Sequence, residues 1–339
     1  MRRFHNYRTT QETRDKNAVV HLHPEDFIAP FFVVEGHNIK TEIPTLKGVY
    51  HLSIDRLTEE IAVLLKYGVN KILLFGVVDN KLKDDHATAA FSENNLIANA
   101  VKTIKSKFSG LVVFTDVCLC GFTSHGHCGI INKESIDNDA TLPVLARIAV
   151  SHARAGADFV CPSAMMDGQV EAIRDALNKK GLTKTHILSY SIKYASSLYG
   201  PFRDAAQSAP SFGNRKTYQM DYRTLDQGIQ ETLADVKEGA DWLMVKPAHT
   251  YLDMITRIKE KFPEKTLAAY HVSGEYMLIK AAAEKGYINE EEAMLEILTA
   301  IKRAGADILI SYYAGTFAYR YHEEKQIVEQ AGIPAECRN

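Results

Sequence analysis

The chain has 339 residues, 46% of them apolar and 24% charged, with a formal net charge of −2. That is the make-up of a globular protein with a buried core, and the near-neutral balance gives no electrostatic reason to expect nucleic acid or an anionic membrane as partner. No apolar run is long enough to span a bilayer, and five clustered cysteines, an odd number, do not form a secreted disulfide framework.

The N-terminal stretch MRRFHNYRTTQETRD lacks the apolar segment of a secretory signal. Its arginines suggest a transit peptide, but Glu12 and Asp15 argue against one, so a cytoplasmic protein is expected. Residues 1–26 show no strong periodicity and read as an N-terminal arm.

From there eight apolar β-type runs follow in order. They are APFFVVE from Ala29, KILLFGV from Lys71, LVVFTDV from Leu111, DFVCPS from Asp158, HILSYSIK from His186, DWLMVKP from Asp241, LAAYHVS from Leu267 and DILISYY from Asp307. Amphipathic stretches such as Asp55–Tyr67, Leu142–Ala155 and Glu290–Arg303 lie between them. A recurring phrase (RAGADFV, EGADWLMV, RAGADILI and the looser YGVNKILLF) marks helix ends with Gly68, Gly156, Gly239 and Gly305 as C-terminal caps. Near-continuous apolar strands alternating with helices predict a parallel sheet covered on its outer face. Eight such units over about 290 residues have the size of a (β/α)8 TIM barrel, one α/β domain spanning residues 27–339. An open doubly wound sheet is disfavoured because no Gly-rich phosphate loop follows the first strand.

A barrel of this kind keeps its chemistry at the C-terminal ends of its strands. Those ends carry Asp116 with the cysteines after strand three, then Ser163, Lys193, Lys246, Ser273 and Tyr312 after strands four to eight. A lysine leaving an apolar strand loses solvation, which favours the neutral amine that Schiff-base chemistry needs. Each lysine alone could equally snorkel or pair with a carboxylate; two on neighbouring strands would depress each other further. Cys118, Cys120 and Cys128, spaced C-x-C-x7-C, allow a structural zinc clip, a redox pair with a bystander, or an open catalytic metal site. Three local thiols are one short of a structural zinc site, which favours the open one. His125 and His127 read as hydrogen-bonding rather than ligating, Cys161 as core, and Cys337 as incidental. About 48 residues separate Lys193 from strand six, long for one connection, and their Gly-, Ser-, Ala- and Pro-rich part predicts a lid at about 197–222. Arg203 and Arg215 on that lid suit a substrate carboxylate. Glu231 is placed at the start of the helix that follows, where a negative charge is favourable on its own account.

The motifs DVCLCGFTSHGHCG, SYSIKYASSLYGPFRDA, LMVKPA and HVSGEY, together with a resemblance running from PFFVVEG to ISYYA, make the chain similar to the porphobilinogen synthase (5-aminolaevulinate dehydratase) family. The resemblance implies a (β/α)8 barrel that condenses two molecules of 5-aminolaevulinate into porphobilinogen with loss of two waters, early in haem and tetrapyrrole synthesis. It implies that Lys246 holds the propionate-side substrate and Lys193 the acetate-side one, each as a Schiff base. Arg203 and Arg215 would bind the acetate-side carboxylate, Ser273 and Tyr312 the other; Tyr312 is preferred to Tyr313. Cys118, Cys120 and Cys128 would carry a catalytic zinc, Asp116 and Ser163 would be polar helpers, and Glu231 would match an allosteric magnesium ligand. A homo-octamer contacted through the arm is implied as well. The chain departs from the family's pattern at Gly121 and Phe122, where Pro and Tyr are common, at Ala164, where some members have Asp, and in a looser arm. A class I aldolase with one Schiff-base lysine and structural zinc explains Lys246 but leaves Lys193 without a task. A zinc-dependent nucleic-acid module would need a basic surface and four ligands.

Overall fold

All eight apolar runs form strands in the computed structural model, which describes residues 2–133 and 135–330. They are β1 (Phe27–Val34), β2 (Lys71–Val77), β3 (Val112–Val117), β4 (Phe159–Pro162), β5 (His186–Lys193), β6 (Trp242–Lys246), β7 (Thr266–His271) and β8 (Ile308–Ser311). Each pairs in parallel with the next in sequence, and β8 returns to β1 with Phe27 opposite Leu309, so the sheet closes into a barrel. Cys337 and the end of the 27–339 domain range lie outside the described residues.

Helices on the outside bury one apolar stripe each against the strands. The Ile54–Lys66 helix, for example, buries Leu57, Thr58 and Ile61. Gly68, Gly156, Gly239 and Gly305 end four of these units with φ of +83°, +104°, +103° and +117°, a region where a side chain would be strained. The helix expected from Leu142 begins four residues earlier, at Asn138, because Asp137 caps it by accepting from the Ala140 N–H at 3.0 Å. The sequence pattern missed an antiparallel hairpin, Lys40–Glu42 with Tyr50–Leu52, which adds to β1 on the outside. The arm contributes a helix, Gln11–Asn17, that buries no side chain.

Strand periodicity decides what faces the barrel interior. Phe114 on β3, Phe159 on β4 and Trp242 on β6 meet with ring centroids 4.3–5.6 Å apart and plug the N-terminal end. Two residues further along the same faces come Asp116 and Met244, and a further two bring Lys246 into the interior above the plug.

Candidate active site

Lys246 and Lys193 end adjacent strands as direct register partners, and both are buried. The Lys246 amine sits in an aromatic cage, 4.2 Å from the ring centroid of Tyr270, 4.9 Å from Phe202, 5.1 Å from Tyr190 and 5.4 Å from Tyr199. Burial, then the charge of Lys193, bring its pKa down from 10.5 to about 7. The Lys193 ammonium donates to the Ser163 carbonyl and stands 5.5 Å from the Tyr190 ring. Asp116 faces the same space. Burial raises its carboxyl above the ordinary range, although the Ser163 hydroxyl, Lys193 and Lys246 all pull the other way.

The loop after β3 folds Cys118, Cys120 and Cys128 together, with all three sulfurs within 4.8 Å of one another and each side chain buried. Among the described residues this is the one group of three or more potential ligands so arranged. Cys118 Sγ and Cys120 Sγ are 3.4 Å apart. Hydrogen bonds from the other two thiols lower the Cys128 pKa well below its ordinary value and raise that of Cys118. Three buried sulfurs converging on one point are a donor set suited to a thiophilic cation such as zinc. His127 bonds instead to the Phe212 carbonyl at 3.0 Å and the Tyr218 hydroxyl at 3.1 Å, and His125 Nδ1 accepts from the His127 N–H at 3.1 Å. Both histidines brace the loop, and Cys161 is wholly buried in β4.

The expected lid runs over the barrel mouth through the turn Ser197–Tyr199 and the short helix Gly200–Ala205, and is held down at several points. Lys83 Nζ donates to the Gln207 carbonyl at 2.6 Å, and the Ser211 N–H to the His125 carbonyl at 3.0 Å. Arg215 donates to Gly126 O at 2.9 Å and to Ser208 O. Burial alone would lower the Arg215 pKa; the nearby charge of Cys128 and Cys120 raises it instead. Arg203 is half-buried and lies near Arg215 and Cys128. The two arginines therefore lie on the thiol side of the chamber. A cleft of about 660 Å³, lined in part by Leu198, Arg203, Arg215 and Tyr251, runs along the lid.

On the other side, Ser273 Oγ accepts from the Phe202 N–H of the lid at 3.0 Å. Tyr312 shares a 3.3 Å hydrogen bond with the hydroxyl of Tyr270, the ring nearest Lys246. Tyr313 is turned away, packed against Tyr276 and His271. Glu231 is not part of this assembly. It lies in the second turn of the Asp226–Glu238 helix rather than at its start, because that helix begins at Asp226, and it accepts from Gln227 at 2.7 Å on the outside of the barrel. The departures at Gly121 and Ala164 are accommodated sterically. Ala164 is fully buried, and a Cβ at position 121 would lie 3.2 Å from the Gly76 carbonyl.

Sequence reasoning missed the cage residues Tyr190, Tyr199, Phe202 and Tyr270, which come from β5, the lid and β7. It also missed Glu275, a buried carboxylate that accepts from the Val272, His249 and Thr250 N–H groups at 2.8, 2.7 and 3.3 Å. Glu275 ties the loop after Lys246 to the helix that begins with Ser273. Its signal was an acid inside the quoted HVSGEY motif.

A family model described as delta-aminolevulinic acid dehydratase matches residues 1–320. The delta-aminolevulinic acid dehydratase of Bacillus subtilis (strain 168) is 47% identical over 312 residues, covering 92% of this chain and 95% of that one. The enzyme of the same name from Synechococcus elongatus is 48% identical over 293 residues, covering 85% and 89%. Among solved structures, delta-aminolevulinic acid dehydratase (porphobilinogen synthase) from Toxoplasma gondii ME49, in complex with its product porphobilinogen, superposes with a TM-score of 0.91 at 42% identity, covering 94% of this chain and 91% of that one.

Proposed function

The chain belongs to the delta-aminolevulinic acid dehydratase family, and from that premise we propose how its own residues carry out the reaction. It is a lyase of porphyrin biosynthesis that condenses two 5-aminolaevulinate molecules to porphobilinogen and two waters.

Lys246 and Lys193 each attack the ketone of one substrate molecule and expel its oxygen as water, which accounts for both waters. Each imine is an electron sink, so a proton can leave the adjacent carbon. That carbon then joins the second substrate's imine carbon and releases one lysine; attack by the remaining amino group closes the ring and releases the other. Asp116, protonatable and next to both amines, is the group placed to hold or return protons at these nitrogens. Arg203 and Arg215 take one substrate carboxylate by forked hydrogen bonds. Ser273 and Tyr312 take the other by turning from Phe202 and Tyr270.

Cys118, Cys120 and Cys128 are the residues that would hold zinc, whose Lewis acidity would polarise the second substrate without adding a proton. Arg215 beside them balances the thiolate charge. Glu231 remains the candidate magnesium ligand, outside the chamber beside Asp167 and Asp235. The arm helix, exposed along its length, supports a homo-octamer built through arm contacts. Among the described residues no helix is long and apolar enough to cross a membrane; the site of action proposed from the sequence is the cytoplasm.

The observation that carries this reading is the pair of buried lysines in register, one with its pKa brought to about 7. Borohydride trapping with 5-aminolaevulinate, followed by peptide mass mapping, tests it. Reducible adducts on both lysines are expected. An adduct on Lys246 alone would favour aldolase-like chemistry, and none on either would end the imine reading.

A further inference from the structure

Lys193 reaches the chamber against the alternation of its own strand. On β5, Tyr190 faces the interior, beneath both lysine amines. Strict alternation would then point Ile192 inward and Lys193 outward, toward the helix layer. The register with β6 shows why this does not happen. Leu243 faces Ser189, but Val245 faces Ile192, so two steps on β6 match three on β5. One extra residue is accommodated between Ser189 and Ile192, and such a bulge re-aims whatever follows it.

The extra residue has a visible support. Ser189 Oγ donates to Asp235 Oδ2 at 2.6 Å, and Ser191 Oγ donates to the Ser189 carbonyl at 3.5 Å. Ile192 also faces outward, since a Cβ on Gly228 of the Asp226–Glu238 helix would lie 3.0 Å from its Cδ1. Asp235 comes from that same helix and is half-buried where the helix packs on β5. Burial lifts its carboxyl to about 6, against the pull of the Ser189 and Ser191 hydroxyls. A lone carboxyl is costly in a helix–strand layer unless it serves hydrogen bonds.

We propose that Asp235 is a positioning residue for the reaction: by fastening Ser189, whose carbonyl accepts from Ser191, to the outer helix, it holds the bulge that turns Lys193, rather than Ile192, into the barrel. Without that fastening the strand is free to return to regular alternation, which would withdraw the Lys193 amine and leave Lys246 on its own strand undisturbed. The proposal rests on the imine reading above and assigns the second imine's geometry to a side chain that never touches substrate.

The test is borohydride trapping with 5-aminolaevulinate on the intact oligomer, with Lys193 and Lys246 adducts quantified in the same digest. In Asp235→Ala the ratio of Lys193 to Lys246 adduct is expected to fall at least fivefold from wild type. Asp235→Asn, which keeps the shape and one acceptor, should lie between the two and serves if the alanine variant does not fold. A folded variant with an unchanged ratio, or with both adducts lost equally, would overturn the positioning role. Wild-type protein that traps nothing on Lys193 would overturn the second imine itself, and the proposal with it.

Discussion

Replacing Lys246 with Met should abolish activity and make the protein more stable. The Lys246 amine is buried among four aromatic rings, and its pKa falls from 10.5 to about 7. Because the folded value is the lower one, the unfolded chain binds the extra proton between these limits. The burden on stability is therefore complete below pH 7, shrinks as pH rises, and vanishes above 10.5. At about 1.4 kcal/mol per pH unit the full burden is about 5 kcal/mol, of which about 4 kcal/mol applies at pH 7 and about 2 kcal/mol at pH 9. Met has a similar length and no charge to desolvate, so Lys246→Met should relieve most of this. Urea unfolding of both proteins at matched concentration should show the variant ahead by several kcal/mol at pH 7, with the gap narrowing by about 2 kcal/mol at pH 9. The same lowering leaves about half of the amine neutral at pH 7, against roughly one part in 3,000 for an ordinary lysine, and so links the instability to nucleophilicity. A variant less stable than wild type, or a gap that ignores pH, would mean that Lys246 is a charged, well-paired group and would refute the argument.

Each of Cys118→Ser, Cys120→Ser and Cys128→Ser should cut zinc per chain from near one to below a tenth, by elemental analysis of dialysed protein, because three thiols leave no spare ligand. Gly274→Ala would set a methyl carbon 2.5 Å from the Leu198 carbonyl, so the lid should fail to seat; kcat should drop at least tenfold while limited proteolysis within residues 197–222 speeds up. Glu275→Ala would leave three N–H groups without their acceptor, that of Val272 in the buried interior, and should cost about 1–3 kcal/mol in thermal or urea unfolding. An activity loss with unchanged stability would show that this reading of Glu275 is wrong.

The strands were legible because a closed parallel barrel buries both faces of each one, leaving apolar runs with abrupt polar ends. Lys193, Lys246 and Asp116 stood out as polar ends of such runs, and the cysteines by their C-x-C-x7-C spacing. Facing is a different matter. SYSIK gives Tyr190 and Lys193 opposite parity, so periodicity contradicts the site that position reveals. The two serines in an otherwise apolar strand were the mark of the bulge, but their partner Asp235 lies 46 residues from Ser189, beyond any local pattern. The cage around Lys246 was hidden likewise, since aromatic residues in β5 and β7 look the same whether they fill a core or surround an amine. Glu231 was misplaced by about a turn because an acid near a helix start is favourable wherever the helix begins, and Asp226 takes that place.

A pair of lysines in register on adjacent barrel strands is a poor choice for stability and a good one for this reaction. Each ammonium raises the other's cost, and the low dielectric enlarges that cost. The chain meets it by separating the two demands along the barrel axis. The N-terminal plug of Phe114, Phe159 and Trp242 is aromatic and carries packing, while Asp116, Lys193 and Lys246 stand at the last residue or two of their strands. The lysines are not treated alike. Lys246 stands among four aromatic rings, and burial brings its pKa down to about 7, whereas the Lys193 amine has a carbonyl partner at Ser163. Two chemically identical side chains thus meet different surroundings, and on the imine reading proposed above that asymmetry is what would distinguish two identical substrate molecules.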